Sequence, residues 1–292
     1  MTGKKNILYK ILFVLNYLIP LKKIRRHYKM FLKYLFYIPT QKDFIDIKML
    51  TNEESIDYII KNKCSFCRYG DGEIGYLLFD NFYHFFQPQN PELQNKLKSI
   101  LLNPSPSCLI GIPYWMRAKA KSAFHKTCQI EYFTKFKKHL LSDYVYGSSF
   151  AFTLQSVGKN IQAIKKIWED RQILIVTGKN SSFIYDDRIF GSAKSVSFLY
   201  TKAVDAYSEY ENILSQIITH NKDTLILISL GLTATCLAYD LSNLGFQAID
   251  IGQITNYYLN FLGEMENIEK LRSDKRFIDG VTDCATLKKD KK

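Results

Sequence analysis

The sequence predicts an α/β fold, a mostly parallel sheet with helices on both faces, preceded by an N-terminal helical arm. Short apolar runs at Gln172 to Thr177, Lys194 to Leu199, Thr224 to Leu230 and Gln247 to Ile251 are each separated by a helical stretch, notably Lys202 to Thr219 and Thr233 to Leu244. Alternation of this kind favours parallel pairing, because a parallel strand pair needs a crossover and the helix supplies it. A 292-residue chain that is 47% hydrophobic and 14% aromatic has ample material for one buried core. The formal charge of +12 is concentrated at one end.

Of the 40 basic residues, ten (Lys4, Lys5, Lys10, Lys22, Lys23, Arg25, Arg26, Lys29, Lys33, Lys42) lie in residues 1–42, which hold no acid; this leaves 30 against 28 acids for the rest. The globular part, 43–292, is therefore nearly neutral, which argues against a nucleic-acid-binding fold. Ile7 to Ile19 is too short for the roughly 20 apolar residues of a spanning helix, and Pro20 closes it. No small-residue cleavage site follows, so a removable leader is not expected. From Leu21 to Tyr37, basic residues interleave with Ile24, Tyr28, Phe31, Leu32, Leu35 and Phe36, the pattern of a helix lying in lipid headgroups. The expected location is cytoplasmic and peripheral, with the arm on the anionic inner face of the plasma membrane. A helix packed on the protein or on a second subunit is the alternative, and homo-oligomerisation stays open.

Thr51 and Glu54 have capping-box spacing and open a helix to Ile60. A strand is expected at Cys64 to Tyr69, a short helix from Glu73 to Phe79, a helix from Pro91 to Leu102 capped by Asn90, and a strand at Cys108 to Ile112. The six cysteines make no disulfide framework. Cys64 and Cys67 have the spacing of half a zinc site without a second pair, so packing is the expected role.

Gly70-Asp71-Gly72-Glu73-Ile74-Gly75 follows a strand and reads literally as G-x-G-x-x-G. Asp71 and Glu73 would put carboxylates where a pyrophosphate should meet backbone N–H groups, and no strand ends in an acid about 20 residues on. A dinucleotide-dependent oxidoreductase is thus the runner-up. Two carboxylates on a glycine-flanked turn can face one hard cation, which then bridges a nucleotide diphosphate, while Gly70 and Gly72 let the backbone come close. Arg68 suits bidentate contact with phosphate or carboxylate. A solvated turn with a helix-capping acid is the plainer alternative.

Three further turns have the same strand-to-glycine form. Ser229-Leu230-Gly231-Leu232-Thr233-Ala234-Thr235 offers free N–H groups and hydroxyls to an anion. Asp250-Ile251-Gly252-Gln253 should lie beside it. Thr177-Gly178-Lys179-Asn180-Ser181-Ser182 resembles a polar helix start, with Lys179 either a point charge for phosphate or an exposed loop lysine. Together the turns describe a cleft beyond the carboxyl ends of the strands. His84, His125 and His139, the last two on an expected long basic helix, read as structural or exposed, and Asp186 and Asp187 face either cleft or water.

These motifs resemble the GT-D-type glycosyltransferases, a bacterial family with a Rossmann-like domain and an Arg-aromatic-Gly-Asp-Gly-Glu turn. Arg68 to Glu73 matches that turn, Leu230 through Leu241 matches the later Leu-Gly-x-Thr-Ala-Thr and Leu-Ala-Tyr-Asp-Leu signature, and Asp250 to Gly252 matches its Asp-Ile-Gly. The resemblance implies hexosyl transfer from a nucleotide-diphosphate sugar, assisted by Mn²⁺ or Mg²⁺, to a lipid-linked or protein-borne glycan acceptor in bacterial surface polysaccharide or glycoprotein synthesis. By position, Asp71 and Glu73 would approach the metal and diphosphate as the catalytic pair, and Arg68, Gly231 and Thr233 would line the donor site. Where the family usually has His after Asp-Ile-Gly, this chain has Gln253, which can hydrogen bond but cannot take a proton. A glycan-assembly scaffold without catalysis therefore also stays open.

Overall fold

A computed structural model describes residues 3–37, 47–80, 86–113 and 135–264. The chain forms two compact units, one of residues 1–47 with 115–142 and the other of residues 48–114 with 143–292.

In the first unit, α1 (Gly3–Val14) continues as a single 3-10 turn, and after Pro20 the chain reverses into α2 (Lys22–Tyr37). The reversal is fastened by Arg25, whose Nε and Nη2 donate to the Ile19 carbonyl at 3.0 and 2.8 Å. The Tyr28 hydroxyl donates to the Leu12 carbonyl at 3.0 Å. His139 lies in a 3-10 turn, Lys137–His139, where a long helix was expected; His84 and His125 fall outside the described residues.

The second unit is built on seven parallel strands: β1 (Ser65–Arg68), β2 (Cys108–Ile112), β3 (Gly147–Ser148), β4 (Gln172–Gly178), β5 (Ser195–Thr201), β6 (Leu225–Ser229) and β7 (Ala248–Asp250). Their order is β3-β2-β1-β7-β6-β4-β5. β1, β2, β4, β6 and β7 are near-continuous apolar runs because helices cover both of their faces. The chain builds outward from β1 to β3, crosses to β4, and returns inward through β6 to β7. β1 and β7 thus meet where the two halves join, and the crevice beyond their carboxyl ends is the place such sheets bind ligands.

The helices are α3 (Asn52–Asn62), α4 (Asp71–Leu78), α5 (Pro91–Leu102), α6 (Leu154–Lys165), α7 (Asp187–Phe190), α8 (Tyr210–Ile217), α9 (Leu232–Asn243) and α10 (Ile254–Phe261). The Thr51 hydroxyl accepts from the Glu54 N–H at 3.1 Å while the Glu54 carboxylate accepts from the Thr51 N–H at 2.7 Å, so the expected capping box starts α3. Asn90 caps α5 through the N–H groups of Glu92 and Leu93, with Pro91 at the first helical position.

On one face of the sheet, Ile56 and Ile59 of α3, Val157 and Ile161 of α6, Trp168 and Phe190 pack on Phe66, Ile173, Leu227 and Ile249. The Trp168 indole keeps its donor satisfied on the Ile189 carbonyl at 3.0 Å. On the other face α9 is buried along most of its length, and Ala234 and Ala238 let its backbone come close to the sheet. Neighbouring Gly111 and Gly147 leave room for the Phe66 ring: a Cβ on Gly111 would lie 2.6 Å from it. Cys64, Cys67, Cys108 and Cys236 are buried free thiols in this interior, and burial pushes the Cys64 thiol up to about 12. Such thiols pack as small hydrophobes.

The helix expected over Lys202 to Thr219 begins only at Tyr210, after a 3-10 turn at Ala206–Glu209. Asp205 is left-handed with φ 57, and the Gln87 amide holds it by donating to its carboxylate at 2.7 Å and accepting from the Tyr207 N–H at 3.2 Å. That clamp comes from 118 residues away. Local periodicity could not reveal it.

Replacing the cap residue, Thr51→Ala, should lower unfolding free energy by about 1 kcal/mol. Chemical denaturation of the two proteins checks this, with an unchanged slope against denaturant showing that only the cap was lost.

Candidate functional site

The carboxyl end of β1 delivers Arg68, and two residues later the chain turns into α4. Gly70 occupies the cap position in an extended conformation, and the helix starts at Asp71 rather than at Glu73. Both acids therefore sit in the first helical turn, not in a free loop. An acidic first turn suits the positive end of the helix dipole. Asp71 is exposed, while Glu73 is half-buried and folds back to accept from the Gly70 N–H at 2.7 Å. Gly70 has little room for anything else: a Cβ would sit 3.0 Å from the Glu73 carboxylate. This N–H would have to receive a pyrophosphate in a dinucleotide fingerprint, and it is already occupied.

Arg68 turns toward the sheet. Its guanidinium pairs with Asp250 at the end of β7, Nη2 to Oδ1 at 2.9 Å, and reaches the Ser149 carbonyl at 3.4 Å. The same carboxylate accepts from the Gly252 N–H at 3.0 Å. Gly252 is required twice over: its φ is +52, and a Cβ would lie 2.2 Å from Arg68 Nη2. The Thr235 hydroxyl donates to the Arg68 carbonyl at 2.9 Å, which ties α9 to the same strand end. Arg68, Asp250, Gly252 and Thr235 thus lock together β1, β7 and α9.

Gly231 caps α9 with φ 54 and ψ −135, a conformation that L side chains rarely adopt, and the space where its Cβ would stand is open. The backbone is therefore bare at the start of this helix, which begins one residue before the expected Thr233. Thr233 itself is fully buried, and its hydroxyl has no hydrogen-bond partner. Gln253 stands at the cap position of α10, with its amide oxygen buried and unpartnered. Arg68 Nε and the side-chain oxygens of Ser149, Thr255 and Asn256 are likewise unpartnered. All six atoms belong to residues that end strands or begin the following segments at this pole, a concentration of unmet hydrogen-bonding capacity.

Lys179 emerges at the same pole, but from β4. Three strand spacings separate β4 from β1, roughly 14 Å. The expected helix start after Gly178 is absent: Asn180 is left-handed with φ 57, the Ser181 hydroxyl caps the Phe183 N–H, and the next helix, α7, has only four residues. Asp186 caps α7 and pairs with Arg188 at 2.6 Å, and Asp187 accepts from the Tyr185 hydroxyl, so both are engaged away from the β1 turn. A groove of about 610 Å³, lined by Lys63, Arg171, Lys194 and Lys222 among others, lies at the opposite, amino-terminal ends of the strands, away from Asp71 and Glu73.

Asp250, Ser149, Thr235 and Asn256 were not singled out from sequence as site residues. Asp250 left a signal, as an acid ending an apolar strand before glycine, and so did Thr235, as a hydroxyl in the glycine turn after β6.

Burial raises the Glu73 carboxyl above its usual range, against the opposing pull of backbone N–H groups and Arg68. Burial also raises Asp250, only partly offset by Arg68. Arg68 is held in its charged form because Asp250, with Tyr257 and Glu73, outweighs its desolvation. Asp71 and Glu73 are carboxylates of the kind a hard cation takes, but two residues apart on a helix they leave it in different directions, and Glu73 would have to release the Gly70 N–H to share an ion with Asp71. Among the described residues no three His, Cys, Asp or Glu side chains are grouped so that they could hold a metal ion by themselves.

A raised carboxyl in the folded state means that ionising Glu73 costs stability. The cost is absent below the unfolded-state value of about 4.3 and fully present above the raised folded value. Glu73→Gln keeps the acceptor for Gly70 and removes the charge. The variant should be more stable than the parent at pH 7, and the difference should shrink toward zero by about pH 4. Urea unfolding at the two pH values measures it.

The chain is similar in sequence and fold to known proteins. Residues 66–279 match the family model for the glycosyltransferase GT-D fold. The chain is 28% identical over 239 residues to glycosyltransferase GlyD of Streptococcus pneumoniae serotype 4, covering 74% of this chain and 28% of that protein. It is 28% identical over 230 residues to the probable glycosyl transferase Gly of Streptococcus gordonii, covering 73% of this chain and 33% of the relative. The chain thus spans a third or less of the length of these relatives. Two solved structures superpose well. One, described as a domain of unknown function 1792 with a distinct glycosyltransferase fold, gives a TM-score of 0.68 at 27% identity over 83% of this chain and 92% of that one. The other, described as a new glycosyltransferase of that domain type from Streptococcus sanguinis, gives 0.66 at 28% identity over 74% and 85%. With the family model covering most of the chain, this protein belongs to the GT-D-fold glycosyltransferase family.

Proposed function

We propose that the chain transfers a sugar from a nucleotide-diphosphate donor, with the help of Mn²⁺ or Mg²⁺, to a hydroxyl of a lipid-linked or protein-borne glycan in bacterial surface-glycan synthesis. The observation that carries this reading is the placement of Asp71 and Glu73 in the first turn of α4, at the crevice where β1 meets β7. The bare Gly231 backbone at the start of α9 supports it, because the amino end of a helix favours a phosphate. Membership of the family and the names of the streptococcal relatives agree with glycosyl transfer.

In this reading Asp71 and Glu73 would hold the cation, and Gly231 with the opening N–H groups of α9 would receive diphosphate oxygens. When bound, the cation supplies neutralising charge for the departing nucleoside diphosphate. Arg68 acts from behind: paired with Asp250 through Nη2, it would fix the strand end that presents the acids. The acceptor hydroxyl must lose a proton, and Gln253 can orient a hydroxyl but cannot accept that proton. The base is therefore another group, or the acceptor proton leaves to solvent.

Asp71→Asn and Glu73→Gln should each reduce donor turnover by about 100-fold or more, the scale of losing one electrostatic partner of a transition state. Melting should show both variants folded. The assay is metal-dependent release of nucleoside diphosphate from a panel of sugar nucleotides. Wild-type turnover that survives both substitutions would overturn the reading. Tight donor binding with no turnover by the parent would favour an inactive scaffold.

A further inference from the structure

We infer that the α1–α2 hairpin is a preformed wedge for an anionic lipid bilayer, entering one leaflet by the outer face of α1 and its tip. This goes beyond the sugar-transfer reading and does not rest on it.

An amphipathic helix hides one apolar stripe, but α1 is apolar on two sides. One side meets α2: Asn16 is buried, the Leu12 carbonyl receives the Tyr28 hydroxyl, and the Phe13 ring lies under Lys29 with Nζ 5.3 Å from its centroid. The other side is bare. Ile7, Ile11 and Val14, spaced at i, i+4 and i+7, are 62%, 57% and 62% exposed, and Leu8 and Leu15 flank them. The stripe runs on to the tip, where Leu18 is 78% exposed and Tyr17 and Leu21 are exposed as well. α2 adds Ile24, Phe31 and Leu35 to the exposed apolar set. Helices apolar on both faces need a second apolar medium. Contiguous patches of this kind mark an interaction surface.

The charge says which medium. Ten basic residues and no acid lie in residues 1–42, and they recur between the apolar positions. A protein partner would have to bury or neutralise all of that charge against its own acids, whereas an anionic leaflet offers hydrocarbon and negative headgroups within one Debye length. Twelve residues of helix reach about 18 Å, well short of the roughly 30 Å hydrocarbon core. No helix of the described residues is long and apolar enough to cross a membrane. Insertion into one leaflet is the arrangement that remains. Arg25 makes the wedge stiff, because its fork holds the Ile19 carbonyl at the turn between the two helices.

The test is flotation of the full-length protein with vesicles of phosphatidylglycerol and phosphatidylethanolamine, against vesicles of phosphatidylcholine alone. Binding to the anionic vesicles should be at least about tenfold stronger and should weaken with salt. The double substitution Ile11→Glu with Val14→Glu should reduce that binding at least about tenfold, while the melting temperature, the oligomeric state and donor turnover without vesicles stay as in the parent. Lys22→Ser with Lys23→Ser and Arg26→Ser should remove the preference for the anionic lipid. The inference is overturned if the Ile11/Val14 variant floats like the parent. It is equally overturned if that variant loses thermal stability or dissociates from an oligomer, since the stripe would then be covered by protein. Loss of turnover at Asp71 and Glu73 with vesicle binding intact, or the reverse, separates this inference from the sugar-transfer reading.

Discussion

The Arg68–Asp250 pair at the junction of β1 and β7 is the contact on which the candidate site depends. Both groups are largely withdrawn from water, with side chains 16% and 4% exposed, so each pays a desolvation cost that only a close partner can offset. The geometry shows how that is met. Asp250 accepts from both Arg68 and the Gly252 N–H, and the guanidinium lies in the gap left by the missing Gly252 Cβ. Replacing such a pair with apolar side chains can be neutral for stability, whereas removing one partner strands a buried charge. The value of the pair is therefore positional. It sets where β1 ends relative to β7, and hence where Asp71 and Glu73 stand.

Several independent features converge on that junction. The Thr235 hydroxyl fixes the Arg68 carbonyl, so the helix after β6 is registered to the same strand end. The Tyr69 hydroxyl, donating to the Leu97 carbonyl at 2.7 Å, anchors the next residue to α5 from the other side. Glu73 is held by Gly70 and raised by burial, a local cost to stability of the kind found where a group is kept for function. The rest of the unit, with Phe66 filling the space over Gly111 and Gly147 and Trp168 seated against Phe190, is a rigid platform for this arrangement.

Much of the fold was legible because its signals are local. Capping by Thr51 and Glu54, the Asn90-Pro91 helix start and the apolar runs of β2, β4, β6 and β7 depend only on neighbouring residues. The miss at Lys202 to Tyr210 arose from Gln87, which clamps Asp205 across the chain. The start of α4 was misplaced by two residues because Gly72 argued locally against a helix, while the dipole and the Glu73 back-contact favoured one. The acids and glycines of the site could be read directly. Their support could not: Arg68 looks like a phosphate clamp in sequence, and only the fold reveals that a carboxylate 182 residues away already holds it. Lys179 had the right local form, yet strand order sets it three positions from β1.

In the proposed mechanism, cation and nucleotide would meet at the start of α4 and the bare start of α9. Paramagnetic broadening in isotope-labelled protein tests it most directly, by adding substoichiometric Mn²⁺ with a nucleoside diphosphate and following backbone amide signals. Signals from Gly70 to Gly75 and from Gly231 to Thr235 should be lost selectively, with those around Lys63, Lys194 and Lys222 at the opposite pole preserved. Broadening confined to that opposite groove, or none near Asp71 and Glu73, would contradict it.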